Sequence, residues 1–207
     1  MKNKYFITGI GTEVGKTTIS AIVTEALEAD YWKPIQAGDL ANSDTHKIEK
    51  LISNKKTVFH PNAFALHTPM SPHAAAKIDN VEVSVAKIKE PETENHLVVE
   101  GAGGLLVPIN DEETILDLIK PEYKVILVSR HYLGSINHTL LSLETLKSRG
   151  LECFGIIFSG EEHPSSEEII KKMGKEPILG RIEQEPYFDK NVVSEYAEIF
   201  RSKLQIS

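Results

Sequence analysis

Cysteine is almost absent from this chain: Cys153 stands alone among 207 residues. A lone thiol forms no internal disulfide and builds no thiolate metal cluster, and its place in the apolar run Leu151 to Phe158 marks it as a buried, inert side chain. Long apolar stretches are missing too. No segment approaches the roughly 18 apolar residues of a membrane span, and the N-terminus enters its first strand without a charged leader or apolar signal segment. Together these absences point to a reducing cytoplasmic compartment and away from a membrane. Basic clusters are also lacking. With a net charge of −7 and no Lys/Arg run interleaved with aromatics, the composition argues against a nucleic-acid partner. The histidines show no His-Glu-x-x-His or cysteine–histidine ligand pattern, and no Gly-x-Ser-x-Gly elbow supports a serine hydrolase. Internal repeats and linkers are absent as well, and the length suits one α/β domain over residues 1–207.

What is present is concentrated first in residues 4–18. Tyr5, Phe6 and Ile7 read as a buried strand running through Thr8 and Gly9 into a glycine-rich turn and then Gly15-Lys16-Thr17. Ile19, Ile22, Val23, Ala26 and Leu27 follow at helical spacing. Strand, glycine turn and helix in that order make a phosphate-binding loop. Glycines let backbone N–H groups close around a phosphate, Lys16 supplies a cation, and the Thr17 hydroxyl suits Mg²⁺. The spacing from Gly9 is Gly-x5-Gly-Lys-Thr, one residue longer than the usual motif, because position 10 is Ile10 rather than glycine.

Tyr31 to Ile35 reads as a second strand that ends in Lys33-Pro34 and breaks at Gly38. A helix starts near Asn42-Ser43-Asp44, with Ser43 or Asp44 as cap and Ile48, Leu51 and Ile52 as its apolar face. Residues 55–80 read as an irregular crossover, and Val81 to Glu90 as a short helix before a polar turn. His96 to Glu100 is a buried strand that ends in a carboxylate and a second glycine turn, Gly101-Ala102-Gly103-Gly104. A carboxylate at such a strand end, in a chain with a phosphate loop, is where an Mg²⁺ ligand belongs. Strands at Val125–Val128, Leu151–Phe158 and Pro177–Ile182 then alternate with helices at 133–149, 163–173 and 192–204. That alternation predicts an α/β fold, a mainly parallel sheet with helices on both faces, P-loop NTPase-like. Phosphate loop, Lys33, Glu100 and the Leu133 turn would converge at the carboxyl ends of its strands.

Four blocks resemble one known family, the ATP-dependent dethiobiotin synthetases of biotin biosynthesis: Thr8-Gly9 through Thr17, Lys33-Pro34 with Gly38, Val99-Glu100-Gly101-Ala102-Gly103-Gly104, and Leu133-Gly134 with Ile136-Asn137-His138. Asn42-Ser43-Asp44 and Ser71-Pro72-His73 also fit. The resemblance implies a ligase that closes a ring from 7,8-diaminononanoate, CO₂ and ATP through a carbamate and a carbamic–phosphoric anhydride. It implies catalytic roles for Lys16 and Lys33, and Mg²⁺ on Thr17, Asp44 and Glu100. Nucleotide contacts would come from Glu13, Val14, Gly15, Lys16, Thr17, Thr18, Asp44, Glu100, Gly101, Ala102 and Gly103, with Ser159, Glu183, Gln184 and Glu185 at the base end. Thr12 and Ala37 would meet the substrate, and Leu133, Gly134, Ser135 and Asn137 would hold its carboxylate across a homodimer interface.

The chain departs from the family's usual residues at Ala37, at Ser159-Gly160 in place of an Asn-Asp pair that reads adenine, and at Glu183-Gln184 in place of proline and an apolar residue. Discrimination among bases is therefore expected to fall, with GTP or CTP supporting turnover within about tenfold of ATP. A rival class is the partition- or septum-positioning ATPase. Those proteins carry a second lysine where this chain has Gly11, and here Glu195 and Glu198 balance Arg201 and Lys203 on the terminal helix, leaving no basic membrane face. A relation to the cobyrinate synthases is disfavoured because no glutaminase portion is present.

Overall fold

A computed structural model describes residues 2–204. In chain order the elements are β1 (Lys4–Gly9), α1 (Lys16–Leu27), β2 (Asp30–Trp32), β3 (Ile35–Ala37), α2 (Asp44–Leu51), β4 (Phe59–His60), β5 (Phe64–Leu66), α3 (Pro72–Asp79), β6 (Leu97–Gly104), β7 (Tyr123–Arg130), α4 (Ser135–Ser148), β8 (Cys153–Ser159), α5 (Pro164–Gly174), β9 (Ile178–Ile182) and α6 (Lys190–Leu204). Seven strands form one parallel sheet in the order β4-β2-β6-β1-β7-β8-β9, and β3 pairs with β5 in a small second sheet. The central strand β1 lies between β6 and β7, with Lys4 opposite both Leu97 and Tyr123.

Successive side chains on a strand face opposite sides, and the two halves of the core follow that period. Tyr5 and Ile7 join a cluster with the apolar stripes of α1 and α6, whereas Phe6 between them joins the opposite cluster with residues of α3, α4 and α5. The strands are accordingly covered on both sides, as near-continuous apolar runs require in a parallel sheet. Phe6, Ile7, Ile22 and Phe200 are fully buried, and each such side chain stabilises the fold by roughly 1.5–3 kcal/mol. Cys153 is buried as expected, and burial pushes its thiol up to about 12.

Four local expectations change. The strand expected over Tyr31–Ile35 is two: β2 stops at Trp32, and β3 begins at Ile35 in the other sheet. Pro34 has no N–H to continue the first ladder, while its carbonyl accepts from Phe64 N and so starts the second. The crossover at 55–80 contains β4, β5 and α3. Val81–Glu90 is not a helix; it holds only a 3-10 turn at Val85–Lys87. Its backbone is engaged elsewhere, since Val85 N donates to Glu113 Oε2 and Val83 O accepts from Asn110 Nδ2. Finally, Glu100 does not end its strand. β6 continues through the glycines because it stays paired with β1 past a register shift, bringing Gly104 opposite Gly9.

Candidate active site

The loop between β1 and α1 has the shape its residues allow. Gly15, at the head of α1, has φ +97°, and a Cβ built on it would lie 2.6 Å from Ser159 Oγ. Only glycine fits both demands. No side chain caps α1, so its first N–H groups remain available to an anion. Lys16 Nζ folds back to donate to Gly11 O at 2.8 Å. Burial, partly offset by Glu100, lowers the Lys16 ammonium to about 8.

Beside the loop, buried charges converge on Glu100. Its Oε1 accepts from Thr17 Oγ1 at 3.0 Å and from Lys33 Nζ at 3.0 Å, and its Oε2 accepts from the fully buried Tyr31 hydroxyl at 2.9 Å. Lys33 Nζ also lies 2.8 Å from Asp44 Oδ2. Burial alone would lower the Lys33 pKa, but Glu100 and Asp44 outweigh it and hold the ammonium above its ordinary value. Asp44 is displaced the other way: burial opposes its charge, and Lys33 with Lys47 overcomes that, leaving its pKa low. Burial, then the charges of Glu100 and Asp44, push Tyr31 well above the usual phenol range, so it remains a donor. Ser43 caps α2, accepting from His46 N while His46 Nδ1 accepts from Ser43 N. That leaves the Asp44 carboxylate, in the first helical turn, free to face Lys33 rather than cap.

Lys16, Thr17, Lys33, Asp44 and Glu100 line a cavity of about 770 Å³ with Thr12, Glu13, Gly15, Thr18 and Ala37, and with Ala102 and Gly103 from the end of β6. A second cavity, of about 880 Å³, gathers Leu133, Gly134, Ser135 and Asn137 together with Ser159 and Gln184. The expected site residues thus divide between two cavities within one chain. The Val14 side chain is in the core, and Gly101 packs against Phe6 while its carbonyl accepts from Lys33 at 3.5 Å. Glu183 and Glu185 line neither cavity: Glu183 pairs with Arg181, and Glu185 accepts from the Tyr196 hydroxyl.

Residues at the site that escaped the sequence reading include Tyr31, Lys47 and Arg130. Tyr31 looked like strand filler. Arg130, which lines both cavities, sits at the carboxyl end of β7, the same kind of position that drew attention to Glu100. Among the described residues no cluster of three or more His, Cys, Asp or Glu side chains could hold a metal ion by itself, and no helix is long and apolar enough to cross a membrane.

A sequence model of the AAA domain family matches residues 3–192. The ATP-dependent dethiobiotin synthetase BioD of Christiangramia forsetii is 69% identical over 204 residues, covering 99% of both chains. Its counterpart in Cytophaga hutchinsonii is 48% identical, covering 94% of this chain and 95% of that one. Among solved structures, the MinC:MinD cell division complex of Aquifex aeolicus aligns over 99% of this chain and 97% of its own with a TM-score of 0.59 and 17% identity. The septum site-determining protein MinD of Pyrococcus horikoshii, complexed with Mg-ADP, aligns over 98% and 90% with a TM-score of 0.60 and 13% identity. At those identities the structural likeness is one of fold, whereas the full-length sequence matches extend through the phosphate loop, Lys33 and the glycine-flanked Glu100: the chain belongs to the ATP-dependent dethiobiotin synthetase family.

Proposed function

We propose that the chain closes the ring of dethiobiotin from 7,8-diaminononanoate, CO₂ and ATP. An amine captures CO₂ without a protein nucleophile, so the work left to the protein is to hold the carbamate in line with the γ-phosphate and to neutralise charge there. The carbamate oxygen attacks the γ-phosphorus as ADP departs; the second amine then attacks the carbamoyl carbon and phosphate leaves. Lys16 from the loop and Lys33 from the opposite wall supply the positive field, Lys33 as the catalytic cation for the transferring phosphoryl group. The observation that carries this reading is the convergence of Lys33, Thr17, Asp44 and Glu100 beside the phosphate loop.

Mg²⁺ suits that donor set. Thr17, Asp44 and Glu100 offer hard oxygen ligands, two of them already directed at one cation, the Lys33 ammonium. Such a site, with few carboxylates and no protein cage, is typical of an ion shared with substrate phosphates. Held by Thr17, Asp44 and Glu100, Mg²⁺ would supply positive charge against the phosphates.

The Leu133 turn supports a homodimer. Leu133 is fully exposed, Leu106 and Leu141 are 62% and 56% exposed, and Gly134 to Asn137 line a cavity apart from Lys33. In a dimer this turn would reach the partner's cavity and hold the diamine carboxylate. The same reading takes residues 1–207 as one domain and places the enzyme in the cytoplasm.

The decisive experiment measures phosphate release from ATP by the purified protein with the diamine and bicarbonate supplied singly and together. Release only when both are present, with dethiobiotin formed, is expected. Turnover that ignores the diamine would overturn the reading and favour a nucleotide switch of the kind the fold also serves.

A further inference from the structure

The two cavities meet at one side chain. Arg130 closes β7, and its guanidinium spans the ends of the neighbouring strands: one amino group donates to Glu13 O in the phosphate loop at 3.4 Å, the other to Gln184 Oε1 just beyond β9 at 3.1 Å. Between those anchors it crosses Gly160, which follows β8. A Cβ on Gly160 would lie 3.6 Å from Arg130 Nε and 3.8 Å from Gln184 Oε1, and its φ of +91° disfavours any side chain. Gly160 is thus in van der Waals reach of the paired guanidinium and Gln184 amide, and its backbone conformation is what calls for glycine.

Ser159 Oγ abuts Gly15, so the end of β8 borders the phosphate loop. A nucleoside whose phosphates rest on Gly15 to Thr18 must leave them along the carboxyl ends of the strands, where ligands of open α/β sheets lie. On that side it meets Ser159, Arg130 and Gln184, which line one cavity together. Ser159 can donate or accept and the Glu161 and Glu162 carboxylates lining the same cavity accept, whereas Arg130 and Gln184 present donors to it. A guanidinium has only donors, arranged as a fork. Gln184 already spends its carbonyl on Arg130, which leaves its NH₂ as a donor. Two acceptors side by side match this set: O6 and N7 of guanine, or O2 and N3 of cytosine. Adenine offers an amine donor where guanine has O6.

We propose that Arg130, oriented by Gln184, is the base-reading residue of this chain, and that it admits GTP and CTP beside ATP by pairing with their carbonyl-bearing edges. This rests on the cavity being the nucleoside triphosphate site of the synthetase reaction. The test compares kcat and KM for ATP, GTP, CTP and ITP in dethiobiotin formation at saturating diamine and bicarbonate, in the wild type and in Arg130→Met and Arg130→Lys. Wild-type kcat/KM with GTP, CTP and ITP should fall within about tenfold of ATP. A lost bidentate contact removes roughly tenfold to a hundredfold of base discrimination, so in both variants the kcat/KM ratios of GTP, CTP and ITP to ATP should fall by about that factor, mainly through KM. ITP keeps O6 and N7 and should follow GTP.

Arg130→Lys separates the fork from its charge. If lysine preserves GTP use, or if all four nucleotides fall together, Arg130 acts on phosphate or on the fold and the proposal is overturned. It is equally overturned if the wild type uses ATP alone. Failure of every nucleotide to support dethiobiotin formation would instead overturn the synthetase reading. Because Arg130 is exposed, its variants should fold, and equal melting temperatures would establish that.

Discussion

Replacing Lys33 by methionine keeps an unbranched side chain, one atom shorter, but deletes the ammonium that lies 2.8 Å from Asp44 and 3.0 Å from Glu100. The Lys33 and Glu100 side chains are 5% and 1% exposed, so the change strands carboxylate charge in a nearly dry interior. Breaking a buried pair in this way costs about 3–5 kcal/mol, and in a chain of this size that corresponds to a fall in Tm of roughly 6–20 °C. The loss should be recoverable in a specific manner. Asp44, Glu100 and the Thr17 hydroxyl remain as hard oxygen donors facing a missing cation, so Mg²⁺ alone, without nucleotide, should restore stability to the variant. At a free concentration a hundredfold above its Kd the gain is about 2.7 kcal/mol. In the wild type the ammonium already neutralises these groups, so Mg²⁺ alone should do less. The assay is thermal melting of both nucleotide-free proteins across a MgCl₂ titration, with Lys33→Met/Asp44→Asn as a third protein that should be at least about 1 kcal/mol more stable than the sum of the single changes implies. Equal melting of Lys33→Met and wild type, or equal Mg²⁺ shifts in both, would refute the reasoning.

Tyr31→Phe should lower stability by about 1–3 kcal/mol, because Glu100 Oε2 loses its buried donor without any change of shape; a urea midpoint that does not move would show that the hydroxyl is dispensable. Lys16, held near 8 in the free protein against an ordinary lysine value of 10.5, should take up a proton when phosphates bind between those values. Binding heats measured near pH 9 should then differ between buffers of different ionisation enthalpy, and identical heats would count against it. In the same window the folded state binds fewer protons at Lys16 than the unfolded state, so this group's contribution to nucleotide-free stability should rise with pH through it.

Much of this architecture is written locally. Ile19, Ile22, Val23 and Ala26 announce α1 by spacing alone, and Gly15-Lys16-Thr17 has few other uses after a buried strand. Lys33, Asp44 and Glu100 could be named from their blocks, but nothing local says that they touch, since a strand and a turn separate Lys33 from Asp44 and Glu100 lies on β6, far along the chain from both. Misreadings arose where a neighbour overrules local preference. The glycines after Glu100 look like a turn until β1 is there to pair with them, and Val81–Glu90 looks helical until Asn110 and Glu113 engage its backbone. Tyr31 was illegible for a simpler reason: a tyrosine in a strand signals burial, and only the carboxylate at its tip reveals a second task.

The central position of β1 has a kinetic side. It is synthesised before both of its partners, which begin at Leu97 and Tyr123, so one of its edges stays open until about half of these 207 residues exist and the other until about three fifths do. Parallel pairings of such separation are slow, because loop-closure entropy is lost before the contacts repay it. The apolar segment Tyr5-Phe6-Ile7 therefore stays unpaired through the first half of that synthesis, and the growing chain is open to aggregation or chaperone capture there. The phosphate loop inherits the same delay: with no partner strands to fix the end of β1, nascent protein cannot hold nucleotide, and ligand can stabilise only a chain whose sheet has already closed.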